Sequence, residues 1–376
     1  MPTTHTRLRF RTVLIWLSLP VILLSLTAWQ LWAQVKGKVM SKVGITVEMP
    51  GKSHQGPLPQ LTAEQAQVRD QLQADLLKLA GDIGERNLHH AAAYAEATKF
   101  MEDRLTGAGN TAAGYKVRRQ IYQVKGRPCV NLEAEIPGTA RAKEIVVIGA
   151  HYDSAIDTPG ANDNGSGAVA LLALADLLKT LKPERTLRFV AFANEEPPYF
   201  QTDAMGSLVY ARECQQRGDN IVAMLSLETM GYYDDTPSSQ KYPPPYNQFY
   251  PSTGNFIAFV GNTESKPLVK QVVLSFRQHA QFPSEGGAVP GSMQGVGWSD
   301  HWSFWQCGYP GVMVTDTAPF RYPHYHKPTD TTDKVDYARL ARVVLGLRDV
   351  TVELTCPAAN PPAPQPPEKK FGKVKW

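Results

Sequence analysis

The apolar residues of this chain change their spacing repeatedly between residues 61 and 356, and this alternation constrains the fold more than any other feature. Short apolar runs typical of strands are followed by longer stretches with the 3.6-residue spacing of helices. The predicted strands are 115–124, 130–136, 145–150, 186–193, 221–227, 256–260 and 312–314, and the predicted helices are 61–79, 90–105, 167–181, 207–216, 267–281 and 335–354. A Gly-rich loop is predicted after the helix at 267–281. Such alternation predicts an α/β fold with a mixed, mainly parallel central sheet and helices on both faces.

The N-terminal end of the chain differs from this body. Residues 13–33 carry no charged side chain and are mostly Leu, Ile, Val and Trp. As a helix they would be about 31 Å long, close to the ~30 Å of a bilayer's hydrocarbon core. Arginines but no acidic residues precede them, which is the charge pattern of a cytoplasmic flank. We therefore predict a single-pass transmembrane signal anchor, with the rest of the chain exported.

A cleaved signal peptide is the alternative, and it would leave a secreted protein. The bulky Leu31, two residues before Ala33, makes a poor cleavage site, so the sequence favours an uncleaved anchor. The predicted organisation begins with a basic cytoplasmic segment (1–12), the anchor (13–33) and a linker (34–60). One folded domain (61–356) and a Pro-rich basic tail (357–376) follow.

The charge of the chain is unevenly distributed. The formal net charge is +4, yet residues 61–356 hold more acidic than basic side chains, because the excess of Lys and Arg lies at the two ends. This pattern excludes a nucleic-acid binder built on massed Lys and Arg, and no nucleic-acid partner is predicted. The basic linker and tail would instead add weak attraction to anionic lipid headgroups.

The four cysteines, at positions 129, 214, 307 and 356, are too few for a disulfide scaffold. Export permits disulfides, but four cysteines allow three pairings, and the sequence does not choose among them. No close Cys pair or Cys/His cluster indicates a thiolate metal site. We expect the cysteines to be buried or structurally bridged.

Residues able to bind a metal follow several of the predicted strands where each strand ends. They are His151, Asp153, Asp163, Glu195, Glu196, Glu228, His324, His326 and Asp330. Taken singly, each has an ordinary structural role, such as a helix N-cap or a solvated ion pair. Because ligands bind outside the carboxyl ends of the strands in such sheets, we expect these groups to converge. Imidazole and carboxylate without thiolate form a ligand set for Zn²⁺ or a related divalent ion.

The number of converging groups exceeds the three protein ligands of one catalytic zinc. Two metal ions about 3.5–4 Å apart that share a carboxylate fit better. Of the adjacent pair Glu195 and Glu196, one can bind metal while the other stays free as a general base. Asp153, two residues after His151, is suited to holding the second imidazole nitrogen.

The motifs HYDS, GANDNGSG, NEE, SDHWSF and YHKPTDT stand in an order that resembles the co-catalytic zinc aminopeptidases. This exopeptidase family also contains glutamate carboxypeptidase and the glutaminyl cyclases, and the resemblance spans residues 84–337. It implies a zinc peptidase catalytic domain at 61–356, an eight-stranded mixed sheet, two Zn²⁺ ions and a peptide substrate.

The resemblance also implies a role for each site residue. The implied metal ligands are His151 and Glu228 for one zinc and Glu196 and His326 for the other, with Asp163 bridging the two. Glu195 is the implied general base, which takes a proton from a metal-activated water and passes it to the leaving amine. From its spacing to His151, Asp153 is predicted as the second catalytic residue beside Glu195.

The chain departs from the family at Glu228, where Asp is usual. The longer side chain keeps the carboxylate but changes its reach, so an enzyme with one zinc is an alternative. His324 is an alternative ligand to His326. His326 is favoured because it follows a tyrosine in the motif YHKPTDT, which contains the Asp-Thr pair. Asp300 and His301 are predicted either to shape the pocket or to stabilise their loop.

The sequence Asn164-Gly165-Ser166 matches an N-glycosylation sequon. A glycan at this position would block the predicted metal site. We therefore predict that the sequon is not used.

The function predicted from these observations is that of a membrane-anchored zinc aminopeptidase with its catalytic domain outside the cytoplasm. A glutaminyl cyclase that uses one zinc on the same fold is one alternative, and a non-catalytic binding protein is another. The complete GANDNGSG motif together with His151 favours hydrolysis. The presence of every candidate ligand and of Glu195 argues against a protein that has lost its metal.

Overall fold

The computed structural model describes residues 45–107, 114–244 and 246–357. The predicted basic segment 1–12, the anchor 13–33 and almost all of the tail 357–376 lie outside the described residues. Within the described ranges, no helix is both long and apolar enough to cross a membrane.

Eight strands form one sheet in the order β1-β2-β4-β3-β5-β8-β6-β7. The strands are β1 Val117–Val124, β2 Arg127–Ile136, β3 Arg141–His151, β4 Arg185–Phe192, β5 Asn220–Glu228, β6 Ile257–Gly261, β7 Ser284–Ala288 and β8 Gly311–Thr315. Four pairs of neighbouring strands are parallel, namely β4 with β3, β3 with β5, β5 with β8 and β6 with β7. The remaining pairs, β1 with β2, β2 with β4 and β6 with β8, are antiparallel. The predicted mixed, mainly parallel sheet is confirmed.

Eight α-helices surround the sheet within the described ranges. They are α1 Ala63–Leu76, α2 Ala91–Thr106, α3 Gly167–Leu178, α4 Gly206–Arg217, α5 Lys266–His279, α6 His301–Gln306, α7 Ala318–Arg321 and α8 Tyr337–Thr355. Local signals fix several ends. A capping box of Thr62 and Gln65 starts α1, and Gly107, in a left-handed conformation, ends α2.

The central strands bury both of their faces. Along β3, Val146 and Ile148 pack into a large cluster with residues of α1, α2, α3, α5 and α8. The intervening Ile145 and Val147 pack into a second cluster with residues of α4 and α6. Because successive side chains of a strand point to opposite faces, this alternation places helices on both sides of the sheet, as predicted.

The Gly-rich loop predicted after α5 is wrong in part, because this segment contains strand β7 and helix α6. Strand β7 lacks the apolar alternation of a strand, since two of its five residues are Gly286 and Gly287. A Cβ at Gly286 would lie 2.8 Å from a Val273 side-chain carbon, and one at Gly287 would lie 2.6 Å from the Tyr250 hydroxyl. Close tertiary packing therefore requires glycine at both positions. Because glycine interrupts the apolar alternation, the sequence pattern does not predict this strand.

The described part of the predicted linker, residues 45–60, lies against the β7 edge of the sheet. Thr46 pairs with Ala288 of β7 through two backbone hydrogen bonds of 2.8 and 2.9 Å. Arg277 of α5 donates to the carbonyl oxygens of Met49 and Pro50. The segment thus covers an edge whose backbone groups would otherwise be unpaired.

Candidate metal centre

The candidate site lies where the carboxyl ends of β3, β4 and β5 meet. His151 is the last residue of β3, and Glu228 is the last residue of β5. Glu195 and Glu196 follow β4 after a two-residue interval. Because these three strands are parallel neighbours, their ends deliver the side chains to one edge of the sheet.

Asp163 lies between the two histidines of the site. Its Oδ1 is 3.7 Å from His151 Nε2, and its Oδ2 is 3.0 Å from His326 Nε2. Each carboxylate oxygen therefore faces a different imidazole. This is the geometry that a carboxylate shared by two metal ions requires.

A further carboxylate accompanies each histidine. Glu228 Oε2 is 3.3 Å from His151 Nε2, and Glu196 Oε2 is 3.2 Å from His326 Nε2. Ligand atoms of His151, Asp163 and Glu196 lie within 4.8 Å of one another, as do those of His151, Glu195 and Glu228. The structure thus brings together all of the predicted metal ligands and the predicted general base.

The chemistry of the cluster fits zinc. Both ring nitrogens of the fully buried His151 lack a hydrogen bond, and so does Glu196 Oε1. Buried polar atoms are rarely left unpaired, because each one costs free energy. Imidazole nitrogen and carboxylate oxygen are the ligands that zinc takes in catalytic sites. His151 and Glu228 would hold one ion and His326 and Glu196 the other, with Asp163 between them.

The carboxylates of the site oppose one another electrostatically. Burial raises the pKa of Glu195 well above its ordinary value, and the nearby Glu228 raises it further, against the opposing effect of His151. Burial and Asp163 raise the pKa of Glu196 to about 7. His326 gains a proton readily, because Asp163 and Glu196 raise its pKa to about 11 despite burial. So much buried negative charge favours binding of cations.

Asp153 holds the two glutamates in place. Its Oδ1 accepts from the backbone N–H of Glu195 at 3.1 Å, and its Oδ2 accepts from the N–H of Glu196 at 3.2 Å. Its Oδ1 also lies 3.4 Å from His151 Nδ1. Asp153 therefore faces the second imidazole nitrogen, as predicted, and orients both glutamates as well.

Asp330 supports the loop that carries Asp163. Its carboxylate accepts from the N–H groups of Asn162 at 2.8 Å and Asp163 at 3.1 Å, and from the Tyr322 hydroxyl at 2.6 Å. In the sequence analysis, Asp330 was one of the possible metal-binding residues after the strands, but no role was predicted for it. Its position in the chain, 167 residues after Asp163, gives no indication of this contact.

Arg86 is a buried cation that the sequence analysis missed. Its guanidinium donates to the carbonyl oxygens of Tyr152 at 2.6 Å, Pro159 at 2.5 Å and Gly160 at 2.8 Å. It therefore closes the loop between β3 and the Asp163 turn. Burial lowers its pKa to about 10, against the opposing charge of Asp153. No periodicity or motif marks this arginine in the sequence.

The side chain of Asn164 is buried and fully engaged. Its Nδ2 donates to the Leu227 carbonyl oxygen at 2.7 Å, and its Oδ1 accepts from the N–H of Thr229 at 2.9 Å. This side chain joins the Asp163 loop to the end of β5. The side chain is inaccessible in the folded domain, and the disuse of the sequon stays a prediction.

His324 lies outside the cluster. Its Nδ1 shares a hydrogen bond of 2.8 Å with Thr329 Oγ1, whereas His326 reaches both Asp163 and Glu196. The preference for His326 over His324 therefore agrees with the geometry. The ring of Tyr325 stacks on His326 with a centroid separation of 4.0 Å.

The SDHWSF motif lies directly beside Glu228. Ser299 Oγ donates to Glu228 Oε2 at 2.7 Å and is 2.9 Å from Ser226 Oγ. Asp300 is fully buried, neither of its carboxylate oxygens has a hydrogen bond, and burial raises its pKa to about 7. His301 packs against the Trp305 ring instead, at a centroid separation of 4.5 Å. The motif therefore both shapes the site and stabilises its own helix.

A pocket with a cavity volume of about 120 Å³ opens beside the cluster. The end of the pocket next to the metal cluster is lined by Glu228, Thr229 and Tyr325. The remaining lining is mostly apolar and aromatic, and includes Tyr242, Tyr246, Tyr250, Phe256, Trp298 and Phe320. A ligand bound at the cluster can therefore extend an apolar group away from it.

The four cysteines are free thiols. Cys129, Cys214 and Cys307 are buried, and Cys356 is partly exposed. The expectation of buried cysteines is therefore met at three positions, and none of the three disulfide pairings is present in the structure.

Residues 131–351 match Peptidase family M28. The uncharacterized protein YfbL of Escherichia coli (strain K12) is 39 % identical over 245 residues, which cover 63 % of this chain and 74 % of YfbL. A protein described as probable leucine aminopeptidase 1, from Trichophyton verrucosum, is 26 % identical over 299 residues, which cover 74 % of this chain and 72 % of that protein.

Solved structures share the fold. BSAP, a zinc aminopeptidase from Bacillus subtilis, matches with a TM-score of 0.58 and 15 % identity over 77 % of this chain and 95 % of BSAP. Fimbriiglobus ruber glutaminyl cyclase matches with a TM-score of 0.54 and 19 % identity over 81 % of this chain and 98 % of that enzyme. The M28 match covers more than half of the chain and includes Asp163, Glu196 and both flanking histidines of the cluster. The chain therefore belongs to Peptidase family M28, a family of co-catalytic zinc exopeptidases, and Zn²⁺ is its cofactor.

Proposed function

We propose that the protein is a membrane-anchored zinc aminopeptidase that removes N-terminal residues from peptides outside the cytoplasm. One observation carries the hydrolytic part of the proposal. Asp163 presents one carboxylate oxygen to each of two histidines, while Glu195 stays beside the cluster with its Oε2 3.7 Å from His151 Nε2. A shared carboxylate with a free glutamate next to it suits two metal ions and a general base.

Zinc bound in this cluster would polarise the scissile carbonyl and make a water molecule easier to deprotonate. Glu195 would accept a proton from the attacking water and return it to the leaving amine. Burial raises the pKa of Glu195 above that of an ordinary glutamate, which makes it a stronger proton acceptor. Asp153 keeps Glu195 and Glu196 in position through their backbone N–H groups.

Tyr325 and the pocket complete the proposed site. Tyr325 is half-buried, and desolvation with the neighbouring Asp163 and Glu196 raises the pKa of its phenol, so it stays protonated. In this position it would donate a hydrogen bond to the carbonyl oxygen of the substrate as negative charge develops there. The side chain of the N-terminal residue would enter the adjacent pocket.

A glutaminyl cyclase is the second candidate. The fold shared with the Fimbriiglobus ruber enzyme supports it. The two activities are separated by assaying the same zinc-loaded protein with aminoacyl arylamides and with glutaminyl peptides. Release of arylamine that stops with chelator supports the aminopeptidase. Cyclisation of the glutaminyl peptide without hydrolysis would replace it with the cyclase.

Metal analysis tests the non-catalytic alternative. The aminopeptidase proposal requires zinc at stoichiometric level in the purified protein. A folded protein that binds no zinc at micromolar concentration would be a binding protein on this fold instead.

The location is tested on the full chain expressed with residues 13–33 intact or deleted. With the anchor intact, we expect the protein in the membrane fraction and its catalytic domain open to protease added from outside. Recovery of a shortened, released protein would support cleavage of a signal peptide, and protection from the added protease would contradict export.

A further inference from the structure

We propose that the pocket selects peptides whose N-terminal residue is lysine or arginine, and that Glu285 is the residue that binds the cationic end of this side chain. The proposal deepens the aminopeptidase function and rests on it. It concerns the end of the pocket that lies away from the metal cluster, where the lining contains a carboxylate among aromatic rings.

Strand register places Glu285 on one line with the metal cluster. Glu228 of β5 pairs with Thr315 of β8, Thr315 pairs with Ala258 of β6, and Ala258 pairs with Glu285 of β7. All four residues line the pocket, so this row forms its floor. The two glutamates stand at its ends, and the small Thr315 and Ala258 leave open space between them.

The length of this row suits a long side chain. Three strand spacings of about 4.8 Å separate the Glu228 and Glu285 backbones by about 14 Å. An extended lysyl side chain reaches about 6 Å from its Cα, and hydrogen bonds of about 3 Å at the far end add to this reach. About 5 Å of the separation then remains, and the two glutamate side chains can reach across it. A lysine or arginine can therefore span the row. A leucine stops well short of Glu285.

The side-chain carboxylate of Glu285 accepts no hydrogen bond from the described residues. Its nearest cation is Arg277, whose Nη2 lies 3.9 Å from Glu285 Oε2. The Arg277 guanidinium is directed elsewhere, since it donates to Ser284 and to the carbonyl oxygens of residues 49–51. The hydroxyls of Tyr242 and Tyr250 likewise donate to backbone carbonyl oxygens. The carboxylate is therefore available to a cation from the pocket.

The walls of the pocket add to the selection. Tyr242 and Tyr250 stack with their ring centroids 5.8 Å apart, and Phe256 lies along the same pocket. Aromatic rings pack against the aliphatic stem of lysine and attract its ammonium group. An apolar side chain that filled the pocket would instead remove water from Glu285 without supplying a partner, which costs free energy. The pocket therefore favours the cationic side chain and disfavours an apolar one of the same length.

The test compares kcat/KM for lysyl, arginyl, norleucyl and leucyl arylamides on the zinc-loaded enzyme. Norleucine has the four-carbon stem of lysine without its charge. We expect lysyl over norleucyl preference of tenfold or more in the wild type. In Glu285→Gln we expect this preference to fall at least tenfold, while leucyl turnover stays within twofold and so reports an intact fold. Glu264→Gln changes an exposed carboxylate two residues before α5, is the matched control and should change neither value.

Two results would overturn the proposal. The first is a wild type that prefers norleucyl or leucyl over lysyl substrates, and the second is a Glu285→Gln variant that keeps the lysyl preference. Either result leaves the aminopeptidase function standing, because arylamides are still cleaved. Failure of all four substrates on folded, zinc-loaded enzyme would overturn the aminopeptidase function itself and the specificity together with it.

Discussion

Replacing Asp330 by Asn tests whether the metal centre depends on a carboxylate that binds no metal in our assignment. In the native protein, Asp330 Oδ1 accepts from Asn162 N–H and from the Tyr322 hydroxyl, and Oδ2 accepts from Asp163 N–H. If the asparagine oxygen takes the place of Oδ1, its NH₂ group faces the N–H of Asp163. Two donors then oppose each other at a buried position.

The expected cost follows from these three contacts. One buried donor without a partner costs about 1–3 kcal/mol, and the two remaining hydrogen bonds lose the strength that an ionised acceptor gives them. We expect the free energy of unfolding of the zinc-free protein to fall by about 2–4 kcal/mol. Because Asp163 is the shared ligand, loosening its backbone should also weaken zinc binding about 10–100-fold.

Urea unfolding in the presence of chelator measures the first effect, and competition with a chromophoric chelator measures the second. Asp333→Asn is the matched control, since Asp333 lies three residues away but is exposed and accepts from Thr331 and Lys334. It should change neither quantity appreciably. Asp330→Asn with native stability and native zinc affinity would refute the argument that this carboxylate positions the Asp163 loop.

Three further variants test other parts of the site. Glu195→Gln should keep zinc, measured by metal analysis, but lower kcat about 10²–10⁴-fold, and full activity would remove Glu195 from its proposed role. Ser299→Ala removes the 2.7 Å hydrogen bond to Glu228 and should weaken zinc binding about tenfold in the same chelator competition, whereas unchanged affinity would contradict a positioning role. Burial lowers the pKa of His301 to about 4, below the ~6.5 of an unfolded chain, so unfolding takes up a proton as the pH falls through this window. Zinc-free protein should therefore lose about 2 kcal/mol of stability from this group between pH 7.5 and pH 5, measured by urea unfolding, and His301→Gln should show a correspondingly smaller loss over that range.

Much of the metal centre was predictable, because its residues lie at the ends of strongly patterned elements. His151 ends a continuous apolar strand, and Glu228 ends another. Once parallel strands are predicted, the meeting of their carboxyl ends follows from sheet geometry alone. The order of the motifs then assigned Asp163 and His326, and the structure brings both to the cluster.

The supporting residues were not predictable in the same way. Arg86 donates to carbonyl oxygens up to 74 residues further along the chain, and Asp330 accepts from backbone groups 167 and 168 residues earlier. Hydrogen bonds to main-chain groups impose no requirement on the type of the partner residue. They therefore leave no pattern in a single sequence.

Strand β7 shows a different reason for failure. Its glycines are required by neighbours that approach from distant segments, namely Tyr250 at Gly287 and both Val273 and Met49 at Gly286. Local propensity disfavours a strand at such positions, and tertiary packing overrides it. With β7 unpredicted, the position of Glu285 in the pocket was hidden as well.

The sequence by itself determined the α/β class, the order of the main elements and the identity of the groups at the strand ends, because these depend on local periodicity and on the rules of parallel sheets. It also determined the family through the order of its motifs. Only the tertiary structure decided which oxygen of Asp163 faces which histidine, that Asp153, Asp330 and Arg86 hold the site together, and that the row from Glu228 to Glu285 forms the floor of the pocket. These features depend on strand register and on contacts between distant segments, and both are settled only when the whole chain packs.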